Sequence, residues 1–371
     1  MDLSPNELAD IKKVCDVFQI KIPNYYLSLI DPKDPNDPIK KMCIPSVNEL
    51  DFHRGELEDP IGDTNKELRN QPTPLVTHRY PDRALLYPTP YCGGYCRYCF
   101  RRRLAGKSEF NPDSKLLEEA LDYLTKTRSI KEVILTGGDP LMLNDEEIFY
   151  ILKRLREIPH IRTIRIHSKM PVWNPYRLTN KLAEGLGEFH PLWIVTHFNH
   201  PRELTPVAKE HIAKLVNKGV IVLNQGVLLK GVNDSVEIQS ELIWELISSR
   251  IKPYYLHHLD KAQGISHFRT SIKRGIGILK DLRGTVPGYG IPHYILDIPG
   301  GYGKIPLQYH YLNHDEEGNI IVETPDGEFL QYPENVDDKP EEVSGIKELL
   351  PMELYSKEER KTIKELKENG D

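Results

Sequence analysis

Short apolar runs rich in β-branched and aromatic residues alternate along this chain with amphipathic stretches of helical length. That alternation restricts the fold more than any other feature of the sequence. The runs are residues 84–88, 132–136, 163–167, 192–196, 219–224 and 253–257, and stretches such as 114–127, 144–157 and 235–249 lie between them. Short strands separated by helices imply βαβ units and a parallel sheet buried on both faces. The expected class is α/β, a partial (β/α)6 barrel of the TIM-like kind, with a doubly wound sheet as runner-up. The polar residues just beyond each run favour the barrel. Three cysteines come after 84–88, and Gly137, Gly138 and Asp139 after 132–136. Ser168 follows 163–167, then His197, Asn199 and His200 follow 192–196, Gln225 follows 219–224 and Asp260 follows 253–257. A last run, 293–297, ends in Asp297. In a parallel barrel the residues after the strands converge on one mouth, where active sites sit.

The organisation read from the sequence has three parts. Residues 1–75 are polar, with the Pro/Asp cluster DPKDPNDP at 31–38, and read as a helical and loop-rich arm. A helix over 5–18 is expected from Ser4 as N-cap and Pro5 at the first helical position. Residues 76–310 hold the barrel, and 311–371 form a C-terminal extension, acidic from about 331 and Lys/Glu-rich at 356–369, which reads as a solvated helix. Of 371 residues, 39% are hydrophobic and 28% charged, which suits a water-soluble globular protein. The net charge of −6 gives no reason to expect nucleic-acid binding, and no apolar run approaches membrane-spanning length. With no signal peptide and few cysteines, a reducing cytoplasm is expected.

Three of the five cysteines, Cys92, Cys96 and Cys99, fall in the run YCGGYCRYCFRRR with spacing C-x3-C-x2-C. Three thiolates on one loop can hold three irons of a four-iron cluster and leave the fourth open for chemistry. A zinc site is the weaker reading. It ordinarily pairs cysteines as C-x2-C and needs a fourth ligand, and Cys15 and Cys43 lie far upstream and read as ordinary buried thiols. A disulfide framework fails on parity and context. The spacing resembles that of the radical S-adenosylmethionine (SAM) superfamily. A second signal, GGYGKIP at 300–306, is not a P-loop, because no Ser or Thr follows Lys304. A glycine-rich loop presenting a lysine suits an amine that must reach a bound carbonyl, such as that of pyridoxal 5′-phosphate (PLP). Taken alone it reads equally as a turn carrying a solvated lysine.

Residues 20–310 together resemble the lysine 2,3-aminomutase family, which uses a 4Fe-4S cluster, SAM and PLP. The matching stretches include THRYPDR at 77–83, CRYCFRRR at 96–103, LTGGDP at 135–140, THFNHP at 196–201, PYYLHHLD at 253–260 and DIPGGYGKIP at 297–306. The resemblance implies a radical SAM type of partial barrel and a role for each matching residue. Cys92, Cys96 and Cys99 would hold the cluster, and Lys304 would anchor PLP, with Arg79 and Arg83 at the PLP and phosphate site. Gly137, Gly138 and Asp139 would meet the SAM amino group, with Ser168, His197 and Gln225 lining the SAM pocket. Arg101 would pair with the substrate carboxylate, and Asp260 and Asp297 with the ε-ammonium of lysine. The implied reaction moves the α-amino group of L-lysine to the β-carbon. Another amino acid (glutamate, arginine) or a protein-bound lysine is the alternative substrate, and Lys261, adjacent to Asp260, complicates the choice. The resemblance further implies an electron donor of flavodoxin or ferredoxin type and a homo-oligomer. No zinc is expected, since no cysteine follows Cys99 and Ser235 stands where some relatives have one.

Overall fold

The computed structural model describes residues 5–63, 71–103, 112–314, 320–325 and 327–332. Their contacts group into two units, Met1–His310 and Tyr311–Asp371. The first unit is built on a nine-stranded sheet in simple chain order. β1 (Val76–Tyr80) is followed by β2 (Arg83–Thr89), β3 (Glu132–Gly137), β4 (Thr163–His167), β5 (Leu192–Thr196), β6 (Ile221–Val227), β7 (Lys252–His257), β8 (His293–Asp297) and β9 (Lys304–Pro306). Strands β2 to β8 pair in parallel, while β1 and β9 are antiparallel additions at the two edges. The sheet stays open, as a partial barrel does.

Helices α1 (Pro5–Cys15), α2 (Asn24–Leu27) and α3 (Pro38–Cys43) belong to the N-terminal arm. The crossovers are made by α4 (Ser114–Lys126), α5 (Asp145–Arg156), α6 (Met170–Trp173), α7 (Asn180–Gly187), α8 (Pro206–Asn217), α9 (Val236–Ser248) and α10 (Ile272–Asp281). Six of these start in the same way, because a short polar side chain accepts a hydrogen bond from an otherwise unpaired backbone N–H of the first turn. Asp113, Asn144, Thr179, Thr205, Ser235 and Ser271 are those caps. Ser235 is thus a helix cap at the start of α9, its Oγ accepting from Ile238 N at 3.3 Å.

Strand alternation sorts the side chains. Ala84, Leu86, Val133, Leu135, Ile164, Ile166, Leu192 and Ile194 are fully buried and share one core cluster with apolar helix positions such as Leu121, Leu124, Ile151, Leu155, Ile212 and Leu215. The alternate positions, among them Tyr87, His167, Tyr255 and His257, lie on the opposite face of the sheet. The strands expected from sequence are all present, with ends that agree within three residues. β1, β9 and the small second sheet are additions that the sequence pattern did not show. In the second unit β10 (Leu312–His314), β11 (Ile320–Glu323) and β12 (Phe329–Tyr332) form an antiparallel meander. Ser4 and the expected helix over 356–369 lie outside the described residues. Cys43 is buried, whereas Cys15 is only half-buried.

Two glycines of α10 allow a direct test of the packing. A Cβ at Gly275 would stand 2.2 Å from the Tyr294 ring, whereas one at Gly277 would meet nothing within 4 Å. Gly275→Ala should destabilise the fold by about 1–3 kcal/mol. Gly277→Ala should stabilise it by about 0.5–1 kcal/mol. Denaturant unfolding of both variants checks the contrast.

Candidate active site

The cysteine loop leaves the end of β2 and is held from below by the N-terminal arm. Arg97 is 2% exposed and Glu49 fully buried. Arg97 Nε donates to Glu49 Oε1 at 2.9 Å and Nη2 to Oε2 at 2.5 Å, while Nη1 donates to the Gln19 carbonyl at 2.9 Å. Arg102 also donates to Glu49 Oε2 and lies over the Phe18 ring at 3.5 Å. Backbone bonds add to this, Tyr95 N to Lys21 O at 2.9 Å and Arg97 N to Met42 O at 3.0 Å. The arginines around the cysteines are therefore clamps on the loop. Sequence reading missed their partner, because Glu49 lies 48 residues from Arg97.

The three cysteines are half-buried and free of disulfides. Burial raises the Cys92 thiol, followed by Asp139 and the charges of Cys99 and Cys96. Burial and then Cys96 raise Cys99 to about 11. The sulfurs are thus mutual electrostatic neighbours, which is the donor set a cluster requires. Among the described residues no three His, Cys, Asp or Glu side chains converge tightly enough for a single metal ion.

The loop after β3 packs directly on the cysteine loop. Gly138 N donates to Thr89 O at 2.9 Å and Asp139 N to Tyr91 O at 2.7 Å. Gly137 has φ +108°, and a Cβ at Gly138 would lie 2.3 Å from Tyr91 O. Neither position tolerates a side chain. Asp139 is 4% exposed, and its carboxylate accepts from Leu141 N, Lys169 N and Met170 N at 3.0, 2.8 and 3.0 Å. Burial raises its carboxyl to about 6 against those bonds and one from Ser168. Ser168 Oγ in turn accepts from Met170 N at 3.0 Å. Both side chains are taken up in shaping the β3 and β4 loop ends. His197 and Gln225 retain partial exposure. Burial, then Lys169 and His257, lower His197 to about 3, so its ring is neutral.

A second cluster gathers at the other side of the lumen. Asp297 ends β8, and Lys304 begins β9 directly across from it in the antiparallel register. Lys304 Nζ donates to Asp297 Oδ2, and His257 Nδ1 lies 3.5 Å from the same oxygen. Burial pushes the Asp297 carboxyl up, but His257 and Lys304 outweigh it and hold it at about 2. Asp260 shows the reverse, since burial and then the Asp297 charge raise it to about 7. Lys261 is exposed, and its carbonyl is bonded to Leu57 N at 2.7 Å. The arm segment 59–63 ties this cluster together. Arg79 Nη2 donates to Ile61 O at 2.6 Å, Arg101 Nε to Asp63 Oδ2 at 2.7 Å, and Gly300 N to Pro60 O at 3.0 Å. Arg83 is half-exposed over the Tyr80 ring at 4.5 Å, and Tyr80 Oη accepts from Lys304 N at 3.1 Å. His167, His257 and Asp63 belong here and carried no sequence signal beyond their strand-end or arm positions.

Residues 86–238 match the Radical SAM superfamily, and residues 279–371 match the Lysine-2,3-aminomutase family. The L-lysine 2,3-aminomutase of Acetoanaerobium sticklandii is 41% identical over 332 residues, covering 90% of this chain and 79% of that protein. The chain belongs to the lysine 2,3-aminomutase family. The L-lysine 2,3-aminomutase of Clostridium subterminale is likewise 41% identical over 338 residues, 91% of this chain and 80% of its own. A family member from Clostridioides difficile, glutamate 2,3-aminomutase, is 39% identical over 329 residues, 89% of this chain and 77% of its own.

The residues present fit the family's groups. The thiol trio suits a 4Fe-4S cluster with an open iron. For PLP the fit rests on Lys304, whose side chain is 35% exposed, and on Arg79, whose buried Nε has no hydrogen-bond partner and is a spare donor for an anion. Glu49→Gln tests the clamp on the cysteine loop. Leaving Arg97 and Arg102 without their buried anion should cost roughly 3–5 kcal/mol of stability. Denaturant unfolding of the cluster-free chain measures this, and a loss below about 1 kcal/mol would mean that the carboxylate is dispensable.

Proposed function

We propose that this chain is a radical SAM, PLP-dependent 2,3-aminomutase that converts L-lysine to β-lysine. The observation that carries the substrate choice is the placement of Asp260 and Asp297, two lumen carboxylates beside the lysine that presents its amine from β9. When bound, the cluster with SAM would supply a hydrogen-abstracting group, and PLP would supply a π system that accepts the unpaired electron while the nitrogen it holds changes carbon.

In this reading the chain's own residues bind, orient and exclude. Lys304 anchors PLP, with Arg79 and Arg83 as donors for its phosphate. Arg101 keeps one edge on Asp63 and offers the other to the substrate carboxylate. Asp260 and Asp297 receive the ε-ammonium by charge-assisted hydrogen bonds. A glutamate side chain would bring a third carboxylate to the same place, which like-charge repulsion opposes. Lys261 is exposed, so solvent screens its charge from the pair. Gly137 and Gly138 let backbone approach SAM, and His197 and Gln225 line its pocket, with Asp139 and Ser168 holding the surrounding backbone in place. An external one-electron donor, a homo-oligomeric assembly and a cytoplasmic setting complete the proposal. Among the described residues no helix is long and apolar enough to cross a membrane.

Anaerobic reconstitution with iron, sulfide, PLP, SAM and reductant, followed by product analysis, should give β-lysine from L-lysine and no β-amino acid from L-glutamate or L-arginine. Lys304→Ala should abolish the PLP absorbance of the bound form and keep the iron content. Asp297→Ala should lower kcat/KM for lysine by roughly 30-fold or more, from about 2–5 kcal/mol for losing one partner of a buried charge pair. Unchanged lysine kinetics in Asp297→Ala would refute the substrate assignment.

The pH dependence has a definite sign. With its pKa raised to about 7, Asp260 is neutral below that pH and anionic above it. kcat/KM for lysine should therefore climb as pH rises through about 7, since this ratio reports the free enzyme. Asp260→Asn should lose that limb of the profile.

A further inference from the structure

We propose that Lys169 is a positioning residue whose buried ammonium sets the reduction potential of the iron–sulfur cluster from beneath the cysteine loop. The proposal rests on the radical SAM reading and concerns a residue to which that reading gives no role. Lys169 follows β4 and is 7% exposed. Its Nζ has three neighbours, Tyr98 Oη at 2.9 Å, the His197 carbonyl at 2.9 Å and Glu203 Oε1 at 3.3 Å. An ammonium has three N–H donors, so all are committed inside the protein. The rings of Tyr26, Tyr98 and Trp173 surround it at 5.9, 5.6 and 5.3 Å.

The pair has a direction. Glu203 is fully buried, and neutral donors share its negative charge. Oε1 accepts from Tyr26 Oη at 2.6 Å, and Oε2 from Asn199 N at 2.6 Å and His200 N at 3.1 Å. The cation instead touches Tyr98, which lies between Cys96 and Cys99 in the chain and whose Oη also accepts from Asn199 Nδ2 at 2.6 Å. The positive end of the pair therefore faces the cluster loop.

A buried ion pair adds little stability over apolar residues of the same volume, so its presence here is not explained by folding. Its electrostatic effect is large in a low-dielectric site. One added electron makes a cluster more negative, and a fixed cation beside it favours the reduced state. The Lys169 backbone N–H also holds Asp139, so the same residue ties the cluster loop to the loop after β3.

The test compares anaerobically reconstituted wild-type protein with Lys169→Met and Lys169→Arg. Iron and sulfide are assayed, and the midpoint potential is read by potentiometric titration followed by electron paramagnetic resonance, with and without SAM. Lys169→Met should keep its full iron complement and show a midpoint shifted to more negative values. Lys169→Arg, which keeps the charge, should return the midpoint to the wild-type value. A purely structural role predicts that the potential does not move. The proposal is overturned by a fully loaded Lys169→Met with the wild-type midpoint, or by a Lys169→Arg shifted as far as the methionine variant. Should Lys169→Met fail to assemble, the double variant Lys169→Met with Glu203→Gln removes both charges and leaves none unpaired. A negative shift there supports the proposal, and the wild-type midpoint overturns it. A wild-type chain that binds no four-iron cluster would overturn the underlying reading, and this proposal with it.

Discussion

The buried carboxylate of Glu49 is the constraint on which the rest of the molecule depends. It receives two arginines from the cysteine loop, Arg97 and Arg102, at a depth where none of the three groups could stay charged alone. A loop that must present three sulfurs in fixed relation cannot rely on loop backbone for rigidity. Here the rigidity comes from the arm, which reaches under the loop and supplies the anion. Ser46 N also donates to Glu49 Oε1 at 2.9 Å, so the carboxylate caps its own short turn as well as clamping the loop. The arm is therefore part of the site's foundation.

The same arm organises the other half of the lumen. The segment from Asp59 to Asp63 meets Arg103, Arg79, Arg101 and the backbone of Gly300 in turn. The cysteine loop and the lysine-bearing loop, about 200 residues apart in the chain, are thus referred to one short stretch. Two buried carboxylates at neighbouring strand ends then respond in opposite senses, Asp297 held ionised by its cationic neighbours and Asp260 raised by burial and by Asp297. Such a split lets one site hold a cation with a carboxylate that stays charged and a second whose charge depends on pH.

Much of this was legible in the sequence, for physical reasons. Strands β2 to β8 announced themselves because both faces are covered, giving runs such as EVILT and LWIVT that no exposed segment tolerates. Helix starts were legible where a polar cap precedes an amphipathic run, as at Ser235 and Asn144. The polar residues at strand ends were legible because chain order and sheet order coincide. Strand β9, by contrast, has three residues, all exposed, and exists only because β8 offers it an edge. The ion-pair partners were equally hidden. Glu49, Asp63 and Glu203 are single acids in polar surroundings, and only long-range folding shows which arginine or lysine each one meets. Lys169 stands beside Ser168, and its burial among three aromatic rings leaves no trace in spacing.

The pairing of β8 with β9 has one more consequence. Side chains on a strand alternate between faces, so a slip of one residue turns every one of them over. Lys304 faces Asp297 only because the turn through Gly300, Gly301 and Gly303, all at positive φ, has its present length. The glycine turn thus acts as a ruler. Lengthening or shortening it by a single residue would leave the barrel standing and the Lys304 amine aimed at the wrong side of the sheet.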